Sequence, residues 1–258
     1  MSTAAWAQYF LDSFATVKEA VEAMKPEKFE VDAPLIPGSD KKSTVHLSIS
    51  DATGDSAIFE YVDGALKIHH GKDYIVMTNS PTYEKQLAIN EYWKNKNGMI
   101  VLPGTNNASD RFARCSFYLS AVPRDNVNDV RTAIATTFSI IRNAAVPIGI
   151  ADPEKPNLAS TLWNTVSDHK NLVYYYANTR SASVCWIDLK RLKLGEGSGV
   201  RKIEMLEERS YAEGSPKPEK PEIIEKWELG GDLTEKFVTT DPFEFLPHPI
   251  ASTLPGQV

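Results

Sequence analysis

Apolar residues recur at helical spacing at the start of this chain and then switch to alternation. Trp6, Phe10 and Phe14 stand four residues apart, and Val17, Ala20, Val21 and Met24 follow at i, i+3, i+4 and i+7. Two amphipathic helices are predicted, the second opened by a Thr16-Val17-Lys18-Glu19 capping box. Past Pro34 and the Pro37-Gly38 turn the period falls to two: Val45, Leu47 and Ile49 alternate with Thr44, His46, Ser48 and Ser50, the pattern of a half-buried strand. Residues 57–62 and 65–70 are two short runs joined by Asp63-Gly64, a strong hairpin signal. Tyr74 to Asn79 reads as a further strand after the Gly71-Lys72 turn, so 43–79 is expected to be an antiparallel meander.

Helical spacing then returns. Residues 82–94 predict one helix, with Ser80 as its cap and Pro81 in its first turn, where no backbone donor is needed. Phe112, Cys115, Leu119 and Val122 stripe a second helix that begins near Ser109-Asp110, and Val130, Ile134, Phe138 and Ile141 a third. A proline-bearing loop from Val146 to Ser160 leads to strands at Leu172–Tyr176 and Ser183–Ile187, with a further one over Val200–Met205. The order helices, sheet, helices, sheet predicts a layered α+β fold with antiparallel sheets. Residues 207–258 are rich in Pro, Glu and Lys, and are expected to form an extended, partly disordered tail on a 1–206 body.

Composition removes several function classes. A formal charge of −6 with a pI near 5.5, and no basic stripe, argues against nucleic acid as a partner. No apolar run is long enough to span a bilayer, so no membrane association is expected. The opening MSTAAWAQYF has no basic segment before an apolar core, which as written reads as a cytoplasmic start. Cys115 and Cys185 have neither metal-ligand spacing nor the density of a disulfide framework, and each falls in an apolar stripe where a thiol acts as a small hydrophobe.

Two positions carry chemistry. Asn79 ends an apolar extended run just before a helix; its amide either satisfies turn backbone or donates a hydrogen bond to an oxyanion. Arg111 begins a helix beside the core-facing stripe, where it is either a solvated surface arginine or a guanidinium aimed into a site. His69 and His70 are neighbours on a strand and so point to opposite faces, a poor pair for one metal ion. Gly195–Gly199 lacks the strand-turn-helix context of a phosphate cradle, and His169 sits in a surface turn beside Asp168. No cofactor or metal is indicated.

Several ordered motifs carry a resemblance: Asp55-Ser-Ala-Ile-Phe-Glu-Tyr-Val-Asp-Gly, Ile68-His-His-Gly, Val76-Met-Thr-Asn-Ser-Pro-Thr, Leu102-Pro-Gly-Thr, Asp110-Arg-Phe-Ala-Arg and Leu162-Trp-Asn-Thr-Val. From about Trp6 to Leu206 the chain resembles the choloylglycine hydrolase family, which contains penicillin V acylases and bile salt hydrolases. The resemblance implies an αββα N-terminal-nucleophile fold, an N-terminal cysteine as nucleophile of linear amide hydrolysis, Asn79 as an oxyanion-hole residue and Arg111 as the arginine near the nucleophile. It further implies a small N-acyl amide substrate and a homo-oligomer, a tetramer in the complete family protein.

The family's cysteine, with the arginine and aspartate that follow it, lies in opening strands with no counterpart here. Trp6-Ala-Gln-Tyr-Phe-Leu aligns with a helix well inside the family sequence. The chain is therefore expected to be an N-terminally truncated hydrolase, inactive alone, whose export signal would have preceded the absent segment if the protein is periplasmic or secreted. The alternatives are a non-catalytic remnant that binds an acyl ligand or a protein partner, one chain of a split enzyme, or use of Ser2 as a replacement nucleophile.

Overall fold

A computed structural model describes residues 1, 3–26, 29, 31–32, 45–123, 129–150, 160–203 and 230–240. The chain divides into two compact units, Met1–Ser160 and Thr161–Val258. The division falls within the expected 1–206 body.

In the first unit, α1 (Thr3–Ser13) and α2 (Val17–Met24) form as the spacing predicts. The capping box is complete: Glu19 N donates to Thr16 Oγ1 at 3.2 Å, and Thr16 N donates back to the Glu19 carboxylate at 3.2 Å. Val17 N, otherwise an unpaired first-turn amide, donates to Asp51 Oδ2 at 2.9 Å, tying α2 to the sheet.

The sheet is β1 (His46–Ser50), β2 (Ser56–Val62) and β3 (Ala65–His70), antiparallel in the order β1-β2-β3. Asp63 (φ 50°) and Gly64 (φ 82°) make the tight turn between β2 and β3, both in the left-handed region such a turn requires. On one face Ala57 and Phe59, flanked by Leu47, Ile49, Leu66 and Ile68, pack against Trp6, Phe10, Val17 and Val21 of α1 and α2. On the other, Ile58 packs with Val76, Tyr83 and Phe112. β2 is buried on both faces, which explains its nearly continuous apolar run.

Tyr74–Asn79 is not a strand. The turn closed by Tyr74 N to Gly71 O (3.2 Å) is followed by a segment that makes no ladder with β3; the Ser56 hydroxyl donates to Tyr74 O instead. Burial of Val76 beneath the helices holds it in place of pairing.

The remaining helices are α3 (Tyr83–Lys94), α4 (Ala108–Ala121) and α5 (Val130–Arg142). α3 begins later than its cap signal suggested. The Ser80-Pro81 bond is cis, Thr82 holds the cap position without a side-chain bond, and Tyr83 N donates to the Glu60 carboxylate of β2 at 2.9 Å. Along α5, Phe138 and Ile140 are buried while Val130 is exposed, so the stripe is shorter than its spacing implied.

The second unit carries β4 (Trp163–Asp168), β5 (Val173–Asn178), β6 (Val184–Asp188), β7 (Arg201–Lys202), β8 (Gly231–Asp232) and β9 (Val238–Thr239). One sheet has the order β4-β5-β6-β8, antiparallel except for the parallel β6/β8 pair; β7 pairs antiparallel with β9. Tyr176, Cys185, Ile187 and Leu233 form its core with Leu192, Ile203 and Phe237. The expected tail therefore contributes structure at 230–240. Its rest, 207–229 and 241–258, lies outside the described residues, as do Pro37-Gly38 and Thr44.

Candidate functional site

Asn79 and Arg111 lie 32 positions apart in sequence and meet: Arg111 Nη2 donates to Asn79 Oδ1 at 2.9 Å. The two elements that bring them together are anchored by polar groups from the protein interior. Gln86 Nε2, on α3, donates to Asn79 O at 2.9 Å and to Thr78 Oγ1 at 3.2 Å, and Thr78 Oγ1 donates to Ala108 O at the start of α4 at 2.8 Å. Arg111 Nε donates to Asn106 O at 3.0 Å, so the guanidinium is held by the loop before α4 as well as by Asn79.

That loop is itself fastened. Asp110 Oδ2 accepts from Thr105 Oγ1 at 2.6 Å, and Arg114 donates to Pro103 O at 2.7 Å, Thr105 O at 2.9 Å and Asn143 O at 3.0 Å. Each polar residue of Asp110-Arg111-Phe112-Ala113-Arg114 has a distinct task. Asp110 closes the loop, Arg111 reaches Asn79, and Arg114 binds the Leu102-Pro-Gly-Thr segment. Phe112, 2% exposed, anchors the helix.

The Arg111 bond decides what Asn79 offers. With Oδ1 accepting from a guanidinium, the amide nitrogen is the end left to act, and Nδ2 has no partner among the described residues. Asn79 is exposed and Arg111 half-buried, so a donor stands at the surface with a cation directly behind it. Burial, reinforced by the neighbouring Arg114, pushes the Arg111 guanidinium below its ordinary pKa, and the same positive charge makes the site favourable to a developing anion. The cavity of about 570 Å³ between α4 and α5, lined in part by Tyr118, Val122, Thr136 and Ile140, includes neither residue.

Neither cysteine is poised as a nucleophile. Burial raises the Cys115 thiol even though Arg114 and Arg111 pull the other way, and burial raises Cys185, whose Sγ lies 3.5 Å from Tyr176 O. His70 Nε2 pairs with Asp55 Oδ2 at 2.8 Å, while the His69 ring packs against Tyr74 and Tyr83. The two imidazoles do face opposite ways. Ser2 lies outside the described residues.

A family model for linear amide C–N hydrolases, the choloylglycine hydrolase family, matches residues 1–205. The chain belongs to the choloylglycine hydrolase family. Over 237 residues it is 45% identical to a penicillin V acylase of Pectobacterium atrosepticum, covering 86% of this chain and 63% of that protein. It thus spans less than two thirds of that relative's length. Penicillin V acylase from Agrobacterium tumefaciens matches in structure with a TM-score of 0.78 at 43% identity, over 95% of this chain and 69% of that one. A conjugated bile acid hydrolase from Clostridium perfringens, at a TM-score of 0.59 and 22% identity over 75% of this chain and 64% of that one, shares the fold. The α+β build with antiparallel sheets is accordingly that of the N-terminal-nucleophile hydrolases.

Sequence reasoning missed Gln86, Asp110 and Arg114. The signal for the last two was their place in one motif with Arg111; Gln86 gave none, because a glutamine on a polar helix reads as solvent-facing.

Proposed function

We propose that this chain supplies the oxyanion side of a linear-amide hydrolase of the penicillin V acylase and bile salt hydrolase type, and that by itself it does not turn over substrate. The observation that carries this is the Arg111–Asn79 hydrogen bond, which leaves Asn79 Nδ2 as the exposed donor. In the proposed reaction an N-terminal cysteine on a segment outside this sequence, its thiol proton taken up by its own α-amino group, attacks with its thiolate the carbonyl carbon of an N-acyl amide. Asn79 Nδ2 donates to the resulting oxyanion. Collapse breaks the C–N bond, the amine leaves with the thiol's proton, and water then releases the acid from the acyl-thioester.

Substrate choice among phenoxyacetyl penicillin, glycine- or taurine-conjugated bile acids and N-acyl homoserine lactones stays within that chemistry. The test is release of amine from phenoxymethylpenicillin and from a glycine-conjugated bile acid. The purified 258-residue chain is expected to release none, whereas the product of an upstream-extended reading frame that begins with cysteine is expected to turn over. Turnover by the chain alone overturns the first part. In the active form, Asn79→Ala is expected to lower kcat by about 100- to 1000-fold; an unchanged kcat removes Asn79 from the reaction.

A further inference from the structure

Gln86 is 1% exposed, among the most deeply buried side chains of the protein, and it follows Glu84 and Lys85, both exposed, on α3. Both hydrogens of its Nε2 are engaged, one by Asn79 O and one by Thr78 Oγ1. Those acceptors settle which way the amide points. Reversed, it would set Oε1 against the Asn79 carbonyl and against a hydroxyl whose hydrogen already goes to Ala108 O.

With Nε2 so placed, Gln86 Oε1 is buried with no hydrogen-bond partner among the described residues. An orphaned buried acceptor destabilises a fold, and methionine would offer almost the same shape and helix propensity without it. Packing therefore does not account for a glutamine here, whereas its two donated bonds do.

We infer that Gln86 is a positioning residue for Asn79. It grips the backbone carbonyl of residue 79 from α3, while Arg111 grips the side-chain oxygen of the same residue from α4. Held at both ends, Asn79 can aim Nδ2 in one direction only. The functional meaning of this hold rests on the oxyanion reading above, but the hold is testable without turnover.

The experiment is NMR of the 258-residue protein labelled with ¹⁵N-asparagine, using Asn79→Ala to assign the Asn79 side-chain NH₂ pair. Gln86→Met is expected to stay folded with a modestly lowered melting temperature, because loss of the bonds to Asn79 O and Thr78 Oγ1 is partly offset by removal of the orphaned Oε1. The Asn79 pair is expected to move to the positions of an unconstrained, exposed asparagine. An unmoved pair in folded Gln86→Met overturns the inference, and so does a lowered melting temperature with the pair unmoved, which would assign Gln86 to packing.

If Gln86→Met does not fold, Gln86→Leu removes both donated bonds with another apolar side chain and leaves Thr78 and α4 untouched. A shift of the pair supports the inference; no shift overturns it. Failure of the hydrolase reading looks different: the pair moves in Gln86→Met, yet the cysteine-bearing form turns over neither phenoxymethylpenicillin nor a glycine-conjugated bile acid.

Discussion

The two faces of the three-stranded sheet are built on opposite principles. One carries Ala57, Phe59, Leu47, Ile49, Leu66 and Ile68 against the aromatic and aliphatic side chains of α1 and α2. The other carries Ile58 together with Glu60, His46, Lys67 and His69, and it meets α3 through Tyr83. Glu60 is 7% exposed and gives its carboxylate to the first amide of α3. His69 Nε2, like Gln86 Oε1, is buried without a partner among the described residues. The first face follows the rule that apolar area removed from water stabilises. The second places polar groups inside and leaves some unsatisfied, a cost that is intelligible where geometry is the product: this is the side from which α3 and Asn79 are held.

The contrast is broken most severely from the apolar side. Phe59→Ala opens a cavity under α1 and α2 at a residue with no exposure and is expected to cost about 3–5 kcal/mol, read as a fall in the denaturant midpoint. A loss near that of a surface substitution would show that this face does not carry the stability.

Glu60→Leu, one residue along and on the opposite face, tests the other principle. It leaves Tyr83 N unpaired and is expected to cost about 1–3 kcal/mol, with faster amide exchange in the first turn of α3. A loss as large as that of Phe59→Ala, without local exchange, would erase the distinction between the faces.

The smallest effect is a pH dependence. Burial pushes the His46 imidazole below its ordinary 6.5, against the opposing pull of the Glu60 carboxylate. A histidine depressed on folding takes up its proton more readily in the unfolded chain. Stability is therefore full above pH 6.5 and declines as pH falls below that value through the folded pKa. The carboxylates held low by hydrogen bonds, such as Asp51 and Asp129, act only further down, below their ordinary 3.8. Replacing His46 with glutamine is expected to flatten the melting temperature across the histidine window and leave the carboxylate window unchanged. An identical profile in the two proteins would remove His46 from the account.

What could be read from the sequence follows the same division. The apolar face was legible because its signals are local and periodic: the Thr16 to Glu19 box, the alternation at Leu47 and Ile49, and the Asp63-Gly64 turn each specify their own neighbourhood. The polar face was not. Tyr74–Asn79 has strand composition but no strand partner among the described residues, so propensity misled where tertiary burial of Val76 decided. Glu60 reads as the polar half of an alternation, and Gln86 as helix surface. Asn79 and Arg111 were reachable through resemblance, not spacing, because nothing local in either segment announces a contact 32 residues away. β8 and β9, two residues each, are too short to have a period at all.

The parallel pairing of β6 with β8 sets the order in which the chain becomes a protein. Asp188 N donates to Thr234 Oγ1 across 46 positions, and Leu233 and Phe237 complete the core around Cys185 and Ile187. On the ribosome the first unit has all its described strands and helices once Arg142 has emerged, while the second must wait for residues beyond 230. Through that interval β6 presents an unpaired edge, so a chain stopped near residue 203 would have a finished first half and an aggregation-prone second.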